Sequence, residues 1–139
     1  MRFEITVDVA APPERVWSVM ADVERLPDLT PSMDGVELLD GPLRLSARAR
    51  VRQPRLATAV WTVTEFTERE SFAWESRAAG VTTTGGHFVR PAPDGGATLR
   101  LTLVQTGPLA PVIGLLFGRR ARAYVTMEAH AVKKAAEAG

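Results

Sequence analysis

Residues 2–27 read RFEITVDVAAPPERVWSVMADVERLP, and two periodicities meet inside them. Phe3, Ile5, Val7 and Val9 alternate with Arg2, Glu4, Thr6 and Asp8, the period-two pattern of a strand with one buried face. Pro12 and Pro13 preset the start of a helix, in which Val16, Trp17, Val19, Met20 and Val23 recur at helical spacing until Pro27 stops the pattern. A short second helical turn follows. Residues 26–33, with Pro27 and Pro31, read as an irregular corner before a strand over Val36 to Leu39.

Beyond that corner the chain reads almost continuously as strand: Leu43 to Gln53, Thr58 to Phe66, Ser71 to Arg77, Val81 to Arg90 and Ala97 to Thr106. Asp40-Gly41-Pro42, Ala79-Gly80 and Asp94-Gly95-Gly96 supply the positive φ of tight turns, so successive strands are expected to be antiparallel. Pro108 to Pro111 then opens a long helix, rich in Ala, Leu, Glu and Lys, to about Glu137. The expected architecture is a single α+β domain over residues 1–139. A curved antiparallel sheet of six to seven strands wraps around the long C-terminal helix, with two short helices after the first strand and a mostly apolar pocket between sheet and last helix.

Composition narrows the function. The 139 residues are one domain's worth, enough to bury roughly two-thirds of the unfolded surface. A net charge of +1 on 17 basic and 16 acidic side chains gives no global field to recruit nucleic acid or an anionic surface. The absence of cysteine excludes disulfides, a thiolate metal site and a cysteine nucleophile. The start carries acids where a secretory signal needs an apolar run, and the longest apolar stretch, Leu109 to Phe117, contains Pro111 and Gly114 and is far short of a membrane span. A cytoplasmic protein is expected.

Alternation also assigns strand faces. Leu43, Leu45, Ala47, Ala49 and Val51 share a face with Gln53, against an outward row of Arg44, Ser46, Arg48, Arg50 and Arg52. Trp61 and Val63, then Phe72, Trp74 and Ser76, then Thr83, Gly85, His87 and Val89, and finally Leu99, Leu101, Leu103 and Gln105 point inward. On the last helix the inward stripe is read as Ile113, Leu116, Phe117, Tyr124, Met127 and Ala131, with Arg120 inside it. The expected ligand contacts are Gln53, Trp61, Trp74, Ser76, Thr83, Gln105, Phe117, Arg120, Tyr124 and Met127. An unpaired buried polar group costs about 1–3 kcal/mol, so this many inward polar groups imply mutual pairing, trapped water or a ligand. The tryptophans serve equally as core packing, and Arg120 as a side chain reaching for solvent. His87 is the one inner-face group whose ordinary titration lies near neutrality, which makes it the candidate catalytic residue; it reads equally as a satisfied structural histidine.

The order of elements and the wording of VDVAAPPERVWSVMADVERLPDLTPSM, VRQPRLATAVWTVTEF, SFAWES, GGHFV and QTGPLAPVIGLLFG resemble the START-like helix-grip superfamily, in its polyketide cyclase/dehydrase-like branch, over nearly the whole chain. The resemblance implies a hydrophobic cavity between sheet and last helix. It implies a ligand of polyketide, quinone or lipid type. No cofactor is expected. It does not choose between catalyst and carrier, because fold does not fix chemistry. A cyclase needs a base and donors that polarise a carbonyl, roles open to His87 and to Gln53, Gln105, Tyr124 or Arg120.

Other classes fit less well. His87 and His130 lack metal-ligand spacing, there is no G-x-S-x-G elbow, and Gly85-Gly86 is no phosphate loop. The row Arg44, Arg48, Arg50 and Arg52, with Arg55 nearby, is a basic stripe that Glu65, Glu68 and Glu75 are placed to neutralise, so no nucleic-acid partner is expected. A non-catalytic carrier or sensor and a partner-binding module with a collapsed pocket stay open, as monomer or homodimer.

Overall fold

The computed structural model describes residues 1–139. Its elements are β1 Arg2–Val9, α1 Pro13–Ala21, a 3₁₀ turn Val23–Arg25, α2 Leu26–Leu29, β2 Gly35–Leu38, β3 Arg48–Arg52, β4 Ala59–Thr67, β5 Ser71–Ala78, β6 Val81–Pro91, β7 Ala97–Thr106 and α3 Ala110–Ala138. The seven strands form one curved antiparallel sheet in the order β1-β7-β6-β5-β4-β3-β2. Every neighbour except the β1–β7 pair is consecutive in sequence, and β1 closes against the last strand, Ile5 opposite Leu101. The helix-grip architecture expected from the sequence is the one formed.

The inner sheet face follows the alternation of β5, β6 and β7, with Phe72, Trp74, His87, Val89, Leu99 and Leu101 buried. In β4 the alternation breaks at a bulge between Val63 and Glu65, so that Val63 and Phe66 both face inward. Phe66 thereby meets the edge of Trp17 on α1, ring centroids 5.8 Å apart. Val16, Met20, Leu99 and Val132 are wholly enclosed where α1, the sheet and the second half of α3 meet. Each such side chain contributes about 1.5–3 kcal/mol on burial.

Two expectations need correction. The long strand read over Leu43 to Gln53 shrinks to Arg48–Arg52, because Ser46 adopts φ 71° and turns the chain. Leu45, assigned to the inner face, is 57% exposed. Asp40 fixes this turn, accepting from the backbone N–H of Arg48 at 2.9 Å and from its guanidinium at 2.9 and 3.0 Å. The Arg48 guanidinium and amide hold the Asp40 carboxyl below its usual range. The arginine row on β3 is neutralised by different acids from those expected: Arg48 pairs with Asp40, and Arg50 with Glu37 on β2 at 2.5 Å.

The two ends of α3 are held differently. At its start, Gly107 has φ 111° and lies against the carbonyl of Gly80, where a Cβ could not fit, and the Leu109 N–H donates to that carbonyl at 2.8 Å. At its far end Glu137 accepts from the Ala10 N–H at 2.8 Å and from Lys133 Nζ at 2.7 Å, while Lys133 also donates to the Asp8 carbonyl.

Candidate functional site

Between the inner sheet face and the first half of α3 lies a cavity of about 370 Å³, with mostly hydrophobic lining. That is at the small end of the roughly 300–1,000 Å³ of ligand pockets, room for a compact guest. Its floor comes from three neighbouring strands: Trp74 and Ser76 of β5, Thr83, Gly85 and His87 of β6, and Leu101, Leu103 and Gln105 of β7. Trp61 of β4, Val51 of β3 and Gln53 close one side. Ile113, Phe117, Ala121, Tyr124, Val125 and Glu128 of α3 form the roof. Space exists because β6 carries Gly85 in mid-strand, where a Cβ would come within 3.3 Å of the Trp74 indole, and α3 presents Ala121 above.

Nine of the residues singled out in the sequence border this cavity: Gln53, Trp61, Trp74, Ser76, Thr83, His87, Gln105, Phe117 and Tyr124. Arg120 and Met127 do not. Nor does Leu116, which is 65% exposed. The difference is one of helical phase: Ile113, Phe117, Ala121, Tyr124 and Glu128 succeed one another at steps of four, four, three and four, whereas Leu116, Arg120 and Met127 each stand one position before a lining residue, about 100° around the helix. Read with Ala121 included, the same periodicity would have placed Glu128 inside.

Glu128 is the feature that the inward stripe missed. Its side chain is about nine-tenths buried, and its Oε2 lies 3.5 Å from Nε2 of His87, an ion-pair distance rather than a hydrogen bond. Oε2 has no hydrogen-bond partner. His87 is fixed by three aromatic and polar contacts. Its ring stacks on Phe72 with centroids 4.1 Å apart and planes 9° from parallel, and meets Trp74 edge-on at 5.6 Å. Its Nδ1 lies 3.2 Å from the carbonyl oxygen of Phe72. A carbonyl only accepts, so the geometry assigns a proton to Nδ1. A neutral imidazole then turns the Nε2 lone pair toward a carboxylate oxygen, acceptor against acceptor. A proton delivered to either atom bridges the two.

The other polar groups are partly committed. Tyr124 Oη donates to the carbonyl of Pro54 at 2.6 Å, tying α3 to the loop between β3 and β4, and Gln53 Nε2 donates to the Ser32 carbonyl at 3.2 Å. Gln105 Oε1 is buried without a partner. Arg55 lies at the rim, exposed, with φ 63°. No helix is long and apolar enough to cross a membrane.

Residues 1–137 match the family described as polyketide cyclase/dehydrase and lipid transport. The chain belongs to that family. Its helix-grip fold, a hydrophobic ligand-binding fold, is shared with several solved structures. One is the crystal structure of Ara h 8.0201, 13% identical over 100% of this chain and 99% of that one, with a TM-score of 0.70. A protein from Deinococcus radiodurans is 23% identical over 100% and 98% of the two chains, TM-score 0.67. The di-domain ARO/CYC StfQ from the steffimycin biosynthetic pathway is 14% identical, TM-score 0.77, over 98% of this chain and 50% of that chain. No curated protein matches the chain in sequence. At such identities the likeness speaks for the fold, and the chemistry of this family member rests on its own residues.

Proposed function

We propose that this protein binds a compact hydrophobic molecule, polyketide-, quinone- or lipid-like, in the cavity under α3, and cyclises or dehydrates a polyketide-type substrate there. Its 139 residues act as one domain. The carrying observation is the buried contact of His87 with Glu128 in the wall of a mostly hydrophobic cavity. A carrier gains nothing from an enclosed carboxylate facing an imidazole, whose desolvation costs several kcal/mol, whereas a proton-transfer site requires such a pair. The His87–Glu128 pair takes a proton from the carbon between two carbonyls. The electron pair left on that carbon attacks a second carbonyl carbon, and the resulting alkoxide recovers the proton. For dehydration the pair takes the second proton from the same carbon and delivers it to the hydroxyl, which leaves as water while the carbon–carbon double bond forms. Trp61, Trp74 and Phe117 enclose the rings, while Ser76, Thr83, Gln53, Gln105 and Tyr124 orient the oxygens.

The second reading, a non-catalytic lipid or quinone carrier or sensor, is favoured by the predominance of hydrophobic lining. One pair of experiments separates the two. A thermal-shift screen against aromatic polyketides, quinones and fatty acids identifies the guest, since a ligand at a hundred times its Kd adds about 2.7 kcal/mol to the folded state. With a polyketide guest in hand, His87→Gln and Glu128→Gln should each lower turnover on the order of a hundredfold or more while changing Kd only a few-fold. Turnover absent in the unmodified protein, with binding intact, would leave the carrier.

A further inference from the structure

The first half of α3 is apolar on both sides. Ile113 and Phe117 face the cavity, while on the opposite face Leu115 is 87% exposed and Val112 and Leu116 are exposed beside it. A helix hydrophobic all round is ordinarily enclosed on every side. Here the outer face is bare, and along the same face the next turn carries Arg119 and Arg122. Neither these arginines nor Arg120 takes part in any ion pair of the molecule, and no acid occurs between Gly107 and Met127. The chain as a whole is almost neutral, so this is a local concentration of cationic charge beside exposed leucines.

We propose that the outer face of α3, from Val112 to Arg122, docks on an anionic lipid surface, with Leu115 and Leu116 entering the headgroup boundary and Arg119 and Arg122 meeting lipid phosphates. An interfacial helix combines these two features: apolar side chains on one aspect and arginines flanking them. A second copy of the chain fits the face poorly. Two such faces in contact would bury arginines with no carboxylate to pair them, and a few exposed side chains fall well short of the roughly 800 Å² per partner of a stable dimer. Docking also has a consequence for the cavity. Phe117 both lines it and is 36% exposed, so the cavity reaches the surface one helical face away from Leu116 and lies beside the bilayer when α3 is seated. The proposal stands apart from the assignment of chemistry to His87 and Glu128, and its failure would leave ligand binding untouched.

Co-sedimentation of the full chain with vesicles tests it. Vesicles of phosphatidylcholine mixed with phosphatidylglycerol should retain the protein, pure phosphatidylcholine should retain far less, and added salt should release it. Arg119→Gln with Arg122→Gln should weaken partitioning roughly ten- to thirtyfold, at about a factor of five per arginine. Leu115→Glu with Leu116→Glu should abolish it. Both double variants alter exposed side chains, and an unchanged Tm confirms that they fold. Equal indifference to both vesicle types would overturn the proposal, as would retention that survives both variants. So would a dimer in analytical ultracentrifugation that Leu115→Glu dissolves, which would make a second copy the occupant.

Discussion

The two halves of α3 share one continuous helix and live in different environments. From Ala129 to Ala136 the helix buries Ala129, Val132 and Ala136 in the core with Trp17, Met20 and Leu99, and its end is tied to the strand β1 and its exit by Lys133 and Glu137. Arg15 on α1 adds a bond to the Ala136 carbonyl at 2.5 Å. From Ala110 to Tyr124 the same helix spans a cavity on one side and solvent on the other. One half supplies the stability that lets the other remain unpacked. The small residues of the second half allow close approach to the sheet, whereas Ile113, Phe117 and Tyr124 hold the first half away from it.

The largest break in this comparison is a charge placed in each half. Val132→Asp buries an unpaired carboxylate in a fully enclosed site and should cost on the order of 3–5 kcal/mol, enough to unfold much of the protein in urea titration. Leu115→Asp, the same chemistry at the exposed position, should change stability by less than about 0.5 kcal/mol. Similar losses at the two sites would mean that the first half is packed after all. Between these extremes, Tyr124→Phe removes the bond to the Pro54 carbonyl and should cost about 0.5–1.5 kcal/mol. Faster hydrogen exchange should then be confined to the loop between β3 and β4.

That contrast was only half legible in the sequence. Strict alternation in β1, β5, β6 and β7 gave the inner face almost residue by residue, because those strands are long and regular. It failed where geometry is local: Ser46 turns left-handed on the strength of Asp40, a partner eight residues from the bonded Nε of Arg48 in no periodic relation, and the bulge in β4 shifts the face by one. The helix stripe went astray for another reason. Leu116 and Met127 were placed inward for their hydrophobicity, whereas Ala121 and Glu128 lie there because the helical phase requires it, a small residue and a carboxylate that no hydrophobicity rule selects. Glu128 was therefore hidden by its own chemistry, although its spacing from Tyr124 pointed to it.

The smallest expected effect concerns the far end of α3. The Ala10 amide and the Lys133 ammonium hold the Glu137 carboxyl below its ordinary range. A carboxylate depressed in the folded state contributes stability above its unfolded pKa and loses it as pH falls through the folded value, so the second half of α3 should fray first below the usual carboxylate range. Glu137→Gln should flatten that part of the acid limb in a Tm-against-pH profile and leave the neutral value almost unchanged. A profile identical to that of the unmodified protein would sever the link between Glu137 and the end of the helix.

The bond from Tyr124 to Pro54 also sorts guests by the direction of their hydrogen bonds. With its only proton engaged by the loop carbonyl, the phenol keeps lone pairs alone for whatever occupies the cavity, and the unpartnered Gln105 Oε1 offers the same. At this end of the cavity a guest hydroxyl finds acceptors waiting, while a bare ketone must take its hydrogen bond from the Ser76 or Thr83 hydroxyl or draw the tyrosine proton from the loop and unlatch it.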